Sequence, residues 1–306
     1  MKVFYKKQDF ENEVCMNNLI KQSIDPHNQK LSTYISSNKC SLEHLGNQCE
    51  GILEKVRSYN EEVDHSHTMN YMVFPNDGMS LQTWLRVNGN ASESKIPFLR
   101  KTLISSMYQV CLTSSEMLDN GIFHGDIKES NILVSKQKDG SIKTKLCDFG
   151  LSDKISKYIP HVAHCARYEY YPPEAIGFRY GRILYTHDLP TGSKIYRAKM
   201  KTTEPPKEEE VLNLLASSDA AVNAYKKNSN TRRIVVEKGE VYSLGVSMKR
   251  NINWYPKLFF PELTNILSDM TDIDWRKRPT FTEVAEKLIT ISLPDDSSMG
   301  IEALQL

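Results

Sequence analysis

An α+β fold is what this sequence predicts, because runs of helical period lie beside short strand-like runs bounded by turn residues. Three observations carry the prediction. From Ile96 to Asn120, Leu99, Leu103, Met107, Val110, Leu112, Met117 and Leu118 recur at helical spacing, and Gly121 stands where a left-handed C′ residue belongs. Next, Ile132–Val134 and Thr144–Cys147 read as strands around Lys138-Asp139-Gly140-Ser141, a hairpin-type turn. Finally, Pro261 to Ile291 has the pattern of two helices.

The other segments follow in order. Asp9 to Gln22 reads as a helix capped by Asp9, with Phe10 and Val14 on one face and Met16, Leu19 and Ile20 sharing another; Asp25-Pro26 stops it. Residues 35–68 are polar and rich in Asn, Ser and His, with Leu42, Leu45, Ile52, Leu53 and Val56 spaced for a helix inside them. Tyr71–Phe74 is a short apolar run entering the turn Pro75-Asn76-Asp77-Gly78, which reads as a buried strand. Residues 177–238 are heterogeneous and read as an insertion, Val241–Val246 starts a further apolar segment, and the chain from Ser292 reads as a loose tail.

Lys and Arg total 39 against 38 Asp and Glu, so no charge imbalance points to nucleic acid. No apolar run approaches the ~18 residues a membrane span needs, and the N-terminus turns charged before a signal-peptide core forms. Six cysteines are scattered without a CxxC pair, which favours a reducing, cytoplasmic setting.

Chemistry concentrates in Phe123-His-Gly-Asp-Ile-Lys-Glu-Ser-Asn-Ile-Leu-Val134 and, 22 residues after Asp126, in Asp148 of Lys145-Leu-Cys-Asp-Phe-Gly150. Moving a γ-phosphoryl group needs a carboxylate to take the attacking hydroxyl's proton, oxygen ligands for Mg²⁺, and a cation against the developing charge. Asp126, Asn131, Asp148 and Lys128 supply these.

Here the sequence resembles the protein-kinase superfamily. His124-Gly-Asp126-Ile-Lys128-x-x-Asn131 is similar to its catalytic loop and Asp148-Phe149-Gly150 to its metal-binding motif. Tyr170-Tyr-Pro-Pro-Glu174 resembles the end of its activation segment, Glu240–Gly245 its anchoring helix, and Asp274–Pro279 its closing motif, whose Arg278 would pair with Glu174. These motifs occur in the family's order. The resemblance implies a two-lobed fold with a truncated N-lobe over 1–75, carrying an insertion at about 38–68. A mainly helical C-lobe would span 76–291 with an insertion at about 177–238, and 292–306 would form the tail. It implies Asp126 as base, Lys128 on the γ-phosphate, Asn131 and Asp148 on Mg²⁺, and ATP between the lobes. Val73 falls at the gatekeeper position, the Phe74–Asn76 backbone at the adenine hinge, and Leu133 among the nucleotide-binding positions.

Departures matter. No GxGxxG occurs, and the opening residues resemble the end of the Lys strand and then the Glu helix, pairing Lys2 with Glu13, or alternatively Glu11. The first two strands and their glycine loop would then be missing from the numbered chain, either lying upstream of Met1 or lost. Gly125 replaces an arginine that many members use to sense a phosphorylated activation segment, so that switch is not expected. Cys165-Ala-Arg167 lacks the usual Gly-Thr, Glu240 replaces an Asp, and Asn17 replaces an apolar residue. His161, His164, His65 and His67 read as solvated loop histidines rather than a zinc site.

Three functions compete on these residues. The reading favoured is a Mg²⁺-dependent kinase acting on Ser/Thr of a protein, similar to kinases encoded by intracellular pathogens or large viruses and, if so, working in host cytosol. The alternatives are a pseudokinase scaffold and an aminoglycoside-kinase-type phosphotransferase. The last family lacks Lys128 in this context, Pro173-Glu174 and Arg278-Pro279.

Overall fold

The computed structural model describes residues 2–4, 7–41, 68–90, 92–157, 172 and 220–291. The chain is α+β and divides into two compact units, Met1–Asp77 and Gly78–Leu306.

The first unit contains β1 (Lys2–Phe4), α1 (Lys7–Ser23), β2 (Ser36–Ser41) and β3 (Thr68–Val73). Its antiparallel sheet has the order β1-β3-β2, with Phe4 opposite Asn70 and Ser36 opposite Val73. The stripe α1 buries is Glu13, Met16, Asn17 and Ile20, spaced three, four and seven apart. Two of the four are polar, which disguises the stripe. The helix starts at Lys7, so Asp9 lies in its first turn instead of capping it. After the helix, the buried Asp25 carboxylate accepts the backbone N–H groups of Gln29, Lys30 and Leu31 at 2.8, 2.7 and 2.8 Å. That arrangement fixes the reversal at Asp25-Pro26. The insertion expected from about 38 needs correction at its start and end: residues to Ser41 form β2, and Thr68 begins β3. Ladder hydrogen bonds to β3 hold this polar strand. Residues 42–67 lie outside the described residues.

The second unit is mainly helical. In order it contains β4 (Met79–Ser80), α2 (Leu81–Asn88), α3 (Ile96–Asp119), β5 (Ile122–Phe123), β6 (Ile132–Lys136), β7 (Ile142–Leu146) and β8 (Asp153–Lys154). Then come α4 (Ser229–Lys249), α5 (Pro261–Met270) and α6 (Phe281–Ile289). Two antiparallel sheets, β4-β6-β7 and β5-β8, flank the loops that matter for chemistry. α3 buries Leu103, Met107, Val110, Met117 and Leu118 and ends as expected, Gly121 at φ +73° donating to the Leu118 carbonyl at 2.9 Å. α6 packs along α3 through Phe281, Val284, Ala285 and Leu288. Burial of Phe281, Val284 and Leu288 contributes about 1.5–3 kcal/mol each. The side chain of Gln109 on α3 donates to Ile142 O and accepts from Thr144 N, tying β7 to the core helix.

The insertion expected at about 177–238 also needs correction. Asn228 and Thr231 form a capping box that starts α4 at Ser229, and Val235 and Val236 are fully buried. Residues 229–238 therefore belong to a core helix. Residues 177–219 and the tail from 292 lie outside the described residues. No helix among the described residues is long and apolar enough to cross a membrane.

Candidate active site

The loop between β5 and β6 carries three of the expected site residues, and they converge. Lys128 Nζ donates to Asp126 Oδ2 at 2.7 Å, and Asn131 Nδ2 donates to the same oxygen at 2.9 Å. Asn131 Nδ2 also reaches Asp126 O at 2.9 Å. A carboxylate gripped by a cation and an amide keeps one orientation.

α4 suspends this loop from both ends. Glu240 accepts the N–H of His124 through Oε2 at 2.9 Å and that of Gly125 through Oε1 at 2.6 Å. The extra methylene relative to Asp is thus accommodated. Burial pushes the Glu240 carboxyl up to about 7; the two backbone donors pull it down, and the nearby Asp126 charge adds to the rise. Seven residues on, along the same helix face, Ser247 Oγ accepts Glu129 N–H at 2.7 Å and donates to Glu129 Oε2.

Gly125 has a backbone reason of its own. Its φ is +80°, and a Cβ there would stand 2.3 Å from the Leu151 carbonyl oxygen. The family's arginine does not fit this backbone.

His124 joins this loop to the one bearing Asp148. Its buried ring accepts Asp126 N–H at Nδ1 (3.3 Å), which leaves the proton on Nε2, facing the Cys147 carbonyl at 3.2 Å. Burial lowers its pKa, while the charges of Asp126 and Asp148 both act to raise it, so one ring senses both acids. A second tie runs from Cys147 N–H to Asn131 O at 3.0 Å. Phe149 is buried with its ring centre 5.3 Å from that of His124. Asp148 occupies the left-handed region at φ +68°, a conformation that non-glycine residues adopt at a cost.

The remaining expected residues are placed as follows. In the first unit Lys2 Nζ meets Glu13 Oε2 at 2.6 Å, with Glu13 2% exposed, whereas Glu11 pairs with Lys7 at 3.3 Å. Phe74 and Asn76 follow β3, half-buried and exposed. In the second unit Leu133 lies on β6 between Ser80 and Lys145. Arg278 is fully buried, donating to the carbonyls of Asp272 (2.7 Å), Lys238 (3.1 Å) and Ile273 (3.2 Å), with Tyr242 stacked at 4.6 Å. Glu174, its expected partner, and residues 161, 164 and 165 lie outside the described residues.

Sequence reading passed over Ser247 and the bridging role of His124. The signal for Ser247 was its seven-residue spacing from Glu240; for His124 it was the two-residue spacing from Asp126.

The donor set fits a hard cation. Asn131 commits its NH₂ to Asp126, which leaves Oδ1 as its acceptor oxygen, with Ser130 Oγ donating to it at 3.4 Å, and Asp148 lies on the adjacent loop. Among the described residues no group of three His, Cys, Asp or Glu side chains is arranged to hold a metal.

The protein kinase domain model matches residues 3–288. A probable serine/threonine-protein kinase of Dictyostelium discoideum is 26% identical over 158 residues, 51% of this chain and 10% of that protein. Another from the same organism is 28% identical over 160 residues, 47% of this chain and 16% of that protein. The chain thus matches only about a tenth to a sixth of these relatives' length. The crystal structure of the yeast RNA Pol II CTD kinase CTDK-1 complex is similar at TM-score 0.43 and 19% identity, covering 93% of this chain and 83% of that one. With the ordered motifs and the catalytic-loop geometry beside a match over nearly its whole length, this chain belongs to the protein kinase domain family.

Proposed function

We propose that the chain transfers the γ-phosphoryl group of ATP to serine or threonine hydroxyls of a protein, with Mg²⁺, in a reducing cytoplasmic setting. The carrying observation is the convergence of Lys128 and Asn131 on one carboxylate oxygen of Asp126. Asp126, held in place, orients the acceptor hydroxyl and takes its proton. Lys128 offsets charge on the phosphoryl oxygens beside that carboxylate. Asn131 and Asp148 are the residues that would hold Mg²⁺. Lys2, fixed by Glu13, would meet the phosphates, and Phe74, Asn76 and Leu133 would contact adenine. Bound ATP·Mg²⁺ supplies the transferable group and the divalent charge. In this reading the lobes are about 1–75 and 76–291.

The test is incorporation of labelled phosphate into a generic Ser/Thr protein acceptor, with thermal shift on adding ATP and Mg²⁺ read in parallel. The native chain is expected to do both, and Asp148→Ala to lose the Mg²⁺-dependent part of the shift and most incorporation. Equal incorporation by the two proteins contradicts the roles assigned. Absence of both shift and incorporation in the native chain favours a pseudokinase scaffold.

A further inference from the structure

Asn17 is fully buried on α1, at a position where the resemblance implies an apolar side chain, and the phosphotransfer roles leave it unused. Both ends of its amide are committed. Nδ2 donates to the Glu13 carbonyl at 2.8 Å, one turn back on the helix, and Oδ1 accepts the Tyr34 N–H at 3.3 Å. Tyr34 stands just before the β2 ladder: the Ile35 N–H donates to Val73 O at 2.7 Å, and Ser36 lies opposite Val73. The Tyr34 hydroxyl returns to α1, donating to Asn18 Oδ1 at 2.8 Å. Two consecutive asparagines thus fasten α1 to the start of β2.

What this fastening sets is the place of Glu13. Met16 and Ile20 bury apolar surface on the same stripe, but apolar burial is non-directional and by itself lets a helix slide or turn. Hydrogen bonds, with their narrow geometry, do not. Near the start of α1, Phe10 meets Phe4 edge-on with 5.4 Å between ring centres. Phe4 shares one face of β1 with Lys2, whose ammonium lies 5.2 Å from the Phe4 ring. Along the helix Glu13 comes between the two attachments, Phe10 and Asn17, and its Oε2 accepts from Lys2 Nζ at 2.6 Å.

We propose that Asn17 and Tyr34 form a latch between α1 and the sheet and are positioning residues, holding Glu13 where it fixes Lys2. The consequence for nucleotide rests on the phosphotransfer reading, in which Lys2 meets the phosphates; the consequence for the Lys2 ammonium itself does not.

The test reads Lys2 directly, by competitive acylation of lysines in the native chain, Asn17→Leu, Tyr34→Phe and Glu13→Gln. Mass spectrometry locates the label, exposed Lys21 serves as internal reference, and urea midpoints check that each variant is folded. Lys2 should react several-fold faster in Asn17→Leu, near its rate in Glu13→Gln, with Lys21 unchanged. A native Lys2 rate in Asn17→Leu, or in Glu13→Gln, would overturn the proposal. Tyr34→Phe loses only the bond to Asn18, so it decides the matter should Asn17→Leu not fold: a partial rise supports the latch and a native rate overturns it. In parallel, Asn17→Leu should weaken ATP·Mg²⁺ binding roughly tenfold while leaving adenosine binding unchanged. On a Lys2→Ala background it should cause no further loss, because the effect runs through Lys2. Equal weakening of ATP and adenosine would overturn the proposal by reducing Asn17 to a packing residue. The expected acylation pattern with no ATP binding by the native chain would support the latch and count against the phosphotransfer reading only.

Discussion

His124 donates through Nε2 to the carbonyl of Cys147 at 3.2 Å, while its other ring nitrogen receives the N–H of Asp126. One buried imidazole thereby sets the spacing between the residue before Asp148 and the loop that carries Asp126. The neutral ring is the form that serves, since one nitrogen must accept and the other donate. Burial favours that form against the pull of the two carboxylates.

Replacing His124 by Phe keeps a ring beside Phe149 but removes both hydrogen bonds. The expected cost is about 1–3 kcal/mol of stability from the backbone groups left unpaired. A drop of about 10²-fold in transfer is also expected from loosened positioning of the two acids. Urea unfolding and the incorporation assay check the two effects separately; unchanged transfer with lowered stability would reduce His124 to a packing residue.

Glu240 makes folding pH-dependent in a definite direction. Its carboxyl is raised from 4.5 to about 7 in the folded chain, chiefly by burial. Between those values the folded chain keeps a proton there that the unfolded chain has released. Its contribution to stability therefore falls as pH climbs through that window and levels off above it. Urea midpoints for the native chain and Glu240→Gln, taken from pH 4.5 to 8, should show the native chain's relative stability shrinking toward pH 7. A relative gain with rising pH would contradict the assignment.

Restoring the family's arginine at position 125 should harm the protein. The backbone there lies at φ +80° with a carbonyl oxygen in the path of any Cβ. Gly125→Arg is expected to cost about 1–3 kcal/mol, read as a lowered urea midpoint. An unchanged or raised midpoint would mean that the loop relaxes freely.

Asp126, Lys128 and Asn131 were legible in the sequence because they lie within six residues of one another, where short loop geometry leaves few ways to avoid meeting. Asp148 was legible from its spacing and its Phe-Gly neighbours. Harder to read was whatever depends on partners distant in the chain. Nothing in Ser36-Ser-Asn-Lys-Cys-Ser41 alternates in hydrophobicity, so β2 is specified by its ladder to β3 and not by its own side chains. The start of α4 lay hidden in a basic run, because the cap formed by Asn228 and Thr231 is polar, as are the residues following it. In α1, Glu13 and Asn17 occupy buried positions by virtue of specific hydrogen bonds, Glu13 accepting from Lys2 and Asn17 donating to Glu13 O at 2.8 Å. A hydrophobic period cannot report positions filled that way.

The central claim is that the Asp126 carboxylate performs proton acceptance and not merely loop architecture. Single-turnover transfer from ATP to a Ser-containing protein, measured for the native chain and Asp126→Asn with nucleotide binding followed in parallel, tests it most directly. The amide keeps the shape and the Lys128 and Asn131 neighbours, so nucleotide affinity should hold while the transfer rate falls by about 10²–10⁴-fold. A transfer rate within a few-fold of native, at equal nucleotide occupancy, would contradict it.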